Sequence, residues 1–305
     1  VVDPETKAPV DARRRARLRM EGLTGDDHAK AMAKQAADAG KDMPLEPLGS
    51  GSDYSAYLQH LGLETLDYGY GGEGRSSGVY HSRYDTYEHH SRFVDPGFAY
   101  DAELAKTVGR AVIAAADTDL PIQQASDFSD AINQYVTEVK KLADNRREAA
   151  ENQKKMLADN AYILADDPTK PHANPVALKE VPKFDFGPLD QAAAKLKTSA
   201  RAYDDAVAEG GAHLSPANLA KLQSLMQSLD QTLLVDQGLP GRSWYRNLIY
   251  APGRFTGYGA KTLPGVREAI EEERWADVTK YIALTATAIN AYSARLDQAT
   301  AVMKR

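Results

Sequence analysis

The chain contains no cysteine. That excludes disulfides and thiolate metal ligands, so any metal here would be held by histidine, aspartate or glutamate. It assigns no compartment, because absence of cysteine alone is compatible with any redox environment. No run approaches the ~20 consecutive apolar residues that a membrane helix needs, and no membrane span is expected. Excess positive charge is also missing. The formal net charge is −6, which provides no basic field for a nucleic acid partner. The block Arg13, Arg14, Arg15, Arg17 and Arg19 is therefore read as a solvated helix face. No internal repeat of fixed period is present. An initiator methionine is lacking as well, since the chain opens VVDPETK. No secretory leader is recognisable there, and the expectation is a fragment or processed piece. What remains, over 305 residues with 43% hydrophobic content, is a globular chain long enough for two domains.

Most of that length has helical spacing. A basic helix is expected within residues 1–22 after the Asp3-Pro4 turn, and a second from Asp26 to Ala39, stopped by Gly40. Ser-Asp before YSAYLQHLG reads as an N-cap and a short helix ended by Gly62. LETLDYGY reads as a strand. Asp95-Pro96 opens a helix from about Gly97 to Ala116, with Phe98, Leu104, Val108, Val112 and Ile113 on one buried face. Leu120-Pro121 marks a break, giving domains at 1–118 and 119–305.

Beyond the break the composition changes to long amphipathic helices. Phe128, Ile132, Tyr135, Val136, Val139 and Leu142 step by three and four. Met156, Leu157, Ala161 and Leu164 continue that stripe, and five prolines between 166 and 188 then mark a connecting loop. Helices restart at Pro188 and at Ser215-Pro216, and Trp275 to Met303 is the last long one. The fold class is mostly α, and this half reads as a four-helix bundle with one functional loop, Gly238 to Gly265.

One stretch breaks the pattern. Leu48 to Glu88 is dense in glycine and tyrosine and presents His81 just beyond a glycine loop. Glycine permits positive φ and close backbone approach, and polar groups on such loops are where function concentrates. By itself a lone histidine near glycines is more often a structural hydrogen-bonder than a ligand. Of the others, His28, His60, His89, His90, His172 and His213, none has a carboxylate or histidine at ligand spacing. His89 and His90 are adjacent, so on a helix they splay apart. Gly69 to Gly74 matches G-x-G-x-x-G formally, but the next residues, RSSGVYHS, are no helix opening, which argues against a dinucleotide. GSGSD is out of register with a nucleophile elbow, so Ser50 is not read as a nucleophile.

Two patches in combination carry a resemblance. The first joins LGSGSDY to YHSRYDTYE, and the second is GLPGRSWYRNLIYAPGRFTGYGAKTLPG. Together the chain resembles, over nearly its whole length, the C-terminal part of the glutamate carboxypeptidase II and transferrin receptor family. The resemblance implies the end of an α/β zinc-exopeptidase domain followed by a helical dimerisation domain. It implies that His81 is a zinc ligand in a site of two zinc ions, and that Tyr80 hydrogen-bonds the reaction centre. Ser50, Gly51 and Ser52 would border the substrate cleft, and Tyr258 would reach across a dimer toward the partner's substrate. The implied partners are a second copy of the chain and a peptide substrate, and the implied location is extracytoplasmic. The family's remaining zinc ligands and glutamate base have no match here, so the fragment alone is expected to be inactive.

The sequence also departs from the pattern. Two arginines of members that cut acidic peptides are here Asp67 and Gly69, and a lysine before the tyrosine is Gly257. A pocket without those cations should not prefer glutamate. Arg75 and Arg254 are the cations left that could replace them. An inactive receptor-like relative and a bare dimerisation module are the alternatives. Retention of His81 favours the peptidase.

Overall fold

The computed structural model describes every residue except 41, 44, 72–77, 121, 172, 211–213 and 305, and the side chains at 27, 28 and 210. The chain is mostly α and splits into two compact units. The first comprises Val1–Glu46 and Leu66–Asp119, and the second comprises Pro47–Thr65 and Leu120–Arg305. Pro47–Thr65, which the sequence places before the Leu120 break, thus belongs with the second unit. No helix among the described residues is long and apolar enough to cross a membrane.

Unit one opens with a helical hairpin, α1 (Val10–Thr24) and α2 (Asp27–Ala37). Leu18, Met32 and Ala36 are buried between them. The helices close on Gly22, where a Cβ would lie 2.3 Å from that of Ala33. The basic block is largely committed within the unit: Arg13 pairs with Asp3, Arg17 with Glu21, and Arg15 donates to the Asp38 carbonyl.

Two expectations for unit one are corrected. The segment expected as a strand, Leu63 to Tyr70, is not one. A strand needs a neighbour to complete its ladder, and the described strands, Tyr250–Pro252 and Ala260–Thr262, pair with each other and not with this segment. The helix expected after Asp95-Pro96 is present as Ala99–Asp117, but its apolar stripe is not buried. Val112 is 60% and Ile113 62% exposed. The stripe has the spacing of a packing face, yet no other helix of the unit covers it. The helix is tied down at Thr107, which shares a 2.8 Å hydrogen bond with Tyr70, and in its first turn, where Tyr100 donates to Asp3 at 3.5 Å and Asp101 pairs with His90 at 2.9 Å.

Before that helix the chain forms α4 (Tyr87–His89) and a π-turn, His90–Val94, so Ala99–Asp117 is α5. A three-residue helix, α3 (Tyr54–Ala56), runs into another π-turn, Tyr57–Leu61, in unit two. That turn ends at Gly62 in the left-handed conformation, as the sequence predicts.

Unit two is built on α6 (Ala125–Ala158), α8 (Gly187–Gly210), α9 (Pro216–Gln227) and α11 (Trp275–Met303), with short α7 (Ala161–Ala165) and α10 (Pro264–Glu271). The helix α8 packs on both α6 and α11, and α9 packs on α11. Ile132, Val139, Leu189, Leu196, Leu222 and Ile289 are wholly buried, each contributing roughly 1.5–3 kcal/mol relative to exposure. The first N–H groups of α6 have no local cap. Asp204 of α8 accepts both Ala125 and Ser126 N–H at 2.9 Å, so the helix end is satisfied from a neighbouring helix. Residues 166–186 have no regular element among those described. The Gly238–Gly265 loop holds a two-stranded antiparallel hairpin that spacing did not predict, β1 (Tyr250–Pro252) paired with β2 (Ala260–Thr262).

Candidate functional site

The predicted residues fall in two places, one in each unit. In unit one, Val79 to Thr86 is a run of tight turns. Ser82 N–H donates to the Val79 carbonyl at 2.9 Å and Asp85 N–H to Ser82 at 3.1 Å. This puts His81 at the third position of a turn, with φ of +63°. Left-handed backbone is uncommon for a side chain other than glycine, though histidine tolerates it better than most. The consequence is an exposed imidazole lying flat on the Tyr80 ring, with centroids 3.8 Å apart and planes 24° from parallel. Tyr80 is itself 62% exposed. Thr86 then caps the next helix through its hydroxyl, which accepts His89 N–H at 3.2 Å. The motif's polar residues therefore build the turn that presents one imidazole.

Two zinc ions need about five or six donors between them. No group of three ligating side chains among the described residues includes His81. The group that converges is His90, Asp95 and Asp101, on which the sequence placed no ligand. The described residues of this chain therefore do not fit a complete two-zinc site around His81. Spacing hid the pairing of His90 with Asp101 because eleven residues, a π-turn and the start of α5 separate the two.

In unit two, three of the predicted cleft residues meet. Ser50 N–H donates to the Tyr258 carbonyl at 3.1 Å. Gly49 and Gly51 are required by that contact. A Cβ at Gly49 would lie 2.0 Å from the Tyr258 carbonyl oxygen, and one at Gly51, with φ of +110°, 2.9 Å from the Tyr258 ring. Tyr54 donates from its hydroxyl to the Ser50 carbonyl at 2.9 Å. Ser52 is exposed at the edge of the turn. Tyr258 thus seats its ring on Gly51 of its own chain and leaves about half its surface, 53%, open.

Residues not singled out from sequence hold this junction. Gln59 is fully buried and donates to the Gly49 carbonyl at 2.9 Å, while its own backbone carbonyl accepts Arg246 N–H. Asn247, equally buried, donates to Leu58 and accepts from Ile249 and Tyr250 N–H. Glu268 and Arg242 form a buried pair at 2.7 Å. Arg242 also donates to the Pro252 carbonyl, and Glu268 accepts Arg254 N–H at 2.9 Å. Those two bonds pin the first strand and the turn that carries Tyr258. Asn247 and Arg242 lie inside the GLPGRSWYRNLIYAP patch, which was the available signal.

The cations offered in place of the family's arginines fare differently. Arg254 is engaged by Glu272 at 2.9 Å, and Arg75 lies outside the described residues, as does most of the glycine loop. Asp67 is exposed in unit one, and Gly257 has φ of +60° with open space where a side chain would begin. Elsewhere in unit two, Asp230 is partly buried, with its carbonyl close to Gly62. Burial, with the Glu64 charge adding to it, pushes its carboxyl up to about 7.

Residues 184–297 match the transferrin receptor-like dimerisation domain. The chain is similar to a probable glutamate carboxypeptidase of Arthroderma benhamiae, 27% identical over 79% of this chain and 29% of the relative. A probable glutamate carboxypeptidase of Arabidopsis thaliana is 28% identical over 74% of this chain and 27% of the relative. An aminopeptidase of Rattus norvegicus is 22% identical over 83% and 31%. The chain thus spans less than a third of the length of these relatives.

Proposed function

The chain belongs to the transferrin receptor-like peptidase family, and from that premise we propose that it is the C-terminal part of a zinc-dependent exopeptidase. In this reading the exposed His81 imidazole, set on its left-handed turn against Tyr80, is one zinc ligand of the intact enzyme. That geometry is the observation that carries the proposal. A side chain other than glycine held at positive φ and turned outward is a local cost that function can explain. Bound zinc would supply an activated water and a Lewis acid. The remaining ligands and the general base would come from parts of the enzyme beyond these residues.

The chain's own contributions come from its two clusters. Tyr80 carries a phenol beside the His81 imidazole, where it can donate to the oxygen that gains charge as a peptide bond is attacked. The Ser50–Gly51–Ser52 turn and Tyr258 form a substrate-binding wall whose shape is fixed by Arg242, Glu268, Gln59 and Asn247. Because Asp67 and Gly69 stand where members of the resembled family that cut acidic peptides carry arginines, the substrate is a peptide with a neutral or basic side chain rather than glutamate. Residues 184–297 pair the chain with a second copy as a homodimer, and the enzyme works outside the cytoplasm.

Turnover of matched dipeptides by the full-length protein tests the substrate proposal. Neutral or basic side chains should exceed glutamate in kcat/KM by about tenfold or more, the factor that ~1.4 kcal/mol of differential binding gives. A clear preference for glutamate would overturn the proposal.

A further inference from the structure

We propose that His90, Asp95 and Asp101 form a divalent-metal site in unit one, separate from the zinc assigned to His81 and independent of that assignment. Their ligating atoms all lie within 4.8 Å of one another. The fold brings them together from three places. His90 opens the π-turn, Asp95 closes it by donating its N–H to the His90 carbonyl at 2.9 Å, and Asp101 lies in the first turns of α5. His90 Nε2 and an Asp101 carboxylate oxygen are 2.9 Å apart. Two ligands each about 2.1 Å from one ion and at right angles lie ~3 Å apart, so this pair already has the spacing of one edge of a coordination sphere. Phe98 stacks on the His90 ring at 6.2 Å with planes 24° apart, which sets the ring plane.

Asp95 is buried and held rigidly, accepting the N–H groups of Ala99, Tyr100 and Asp101 at 2.9 to 3.1 Å. Among the described residues one of its oxygens takes only the Ala99 bond, which leaves that oxygen a lone pair for a cation. His90 and Asp101 are partly exposed, at 39% and 49% of their side chains, so they can turn to close the remaining gap and admit an ion from solvent. Two carboxylates and one imidazole suit zinc, nickel, cobalt or manganese rather than calcium. The N-terminus of α5 carries positive partial charge and opposes a cation, so binding should be modest and led by the imidazole.

The test uses the 305-residue chain and zinc alone, followed by isothermal titration and by the side-chain ¹⁵N signals of its histidines. The expected result is one saturable site at which the His90 resonance moves. His90→Gln and Asp101→Asn should each weaken it about tenfold or more, with unchanged helix content by circular dichroism, while His81→Ala leaves the affinity as it was. Absence of binding at millimolar zinc overturns the proposal. So does wild-type affinity in either variant, or loss of the site in His81→Ala with His90→Gln unaffected. That last outcome would leave the His81 assignment standing on its own.

Discussion

At the scale of single residues, the positions that matter are those where the backbone is forced. Gly51 has φ of +110° and the Tyr258 ring against it. Gly51→Ala meets both obstacles, a left-handed backbone and a 2.9 Å contact. Such strain costs on the order of 1–3 kcal/mol, and the Tyr258 ring must lift away. The expected outcome is a lower melting temperature with faster amide exchange at 253–259. A melt and exchange pattern equal to wild type would show that the Gly51–Tyr258 contact is not made. Tyr80→Phe is a gentler change, since the ring remains beside His81 and only the hydroxyl goes. If that hydroxyl steadies an oxyanion, turnover of the full-length enzyme falls on the order of 100-fold while its zinc content is unchanged. Loss of zinc with the activity would assign Tyr80 a structural part instead.

Among the elements, Asp230 makes the stability of unit two depend on pH. Its carboxyl titrates near 7 in the folded chain and near ~3.9 when unfolded. Between those values the folded state keeps a proton that the unfolded state releases. The contribution of Asp230 to stability is therefore fullest below about pH 4 and is lost as pH rises through 7. Asp230→Asn removes the titration. Its melting temperature should exceed that of wild type at pH 8 by on the order of a few degrees, with the gap closing at pH 4. A gap that stays constant from pH 4 to 8 would mean Asp230 is solvated and titrates normally.

Element spacing was legible where a helix finds its partner inside the chain. Ile132, Val139, Leu196 and Ile289 lie on stripes that step by three and four and are buried. The same spacing at Val112 and Ile113 predicted burial and met solvent, because periodicity records a face without saying what covers it. Leu63 to Tyr70 fails as a strand for a related reason, since no described strand pairs with it. The hairpin around Tyr258 was missed because its strands are three residues each, too short to show alternation. The exposed position of His81 was legible from its place just beyond a glycine loop. The buried clamp of Gln59, Asn247, Arg242 and Glu268 was not, since a polar residue's burial depends on partners distant in sequence.

For the molecule as a whole, a match to a dimerisation domain over 184–297 predicts that the chain self-associates. Sedimentation at tens of micromolar, well above a ~1 μM dissociation constant, should give twice the chain mass of 33.2 kDa. A monomer at that concentration would count against the proposed homodimer. The 305-residue chain alone should hydrolyse no dipeptide even with zinc present, because one imidazole cannot hold two ions.

The claim that His81 is a zinc ligand of the intact peptidase is tested most directly by metal analysis and dipeptide turnover of full-length His81→Ala. Zinc content should drop by up to one ion per chain and turnover should fall at least ~100-fold, the scale of a lost charge-stabilising group. The sedimentation of the proposed homodimer should not change, since the imidazole is exposed on a turn of unit one and not in the helical core. Full zinc content with near-wild-type turnover would show that His81 is not a ligand and would favour a receptor-like relative without catalysis.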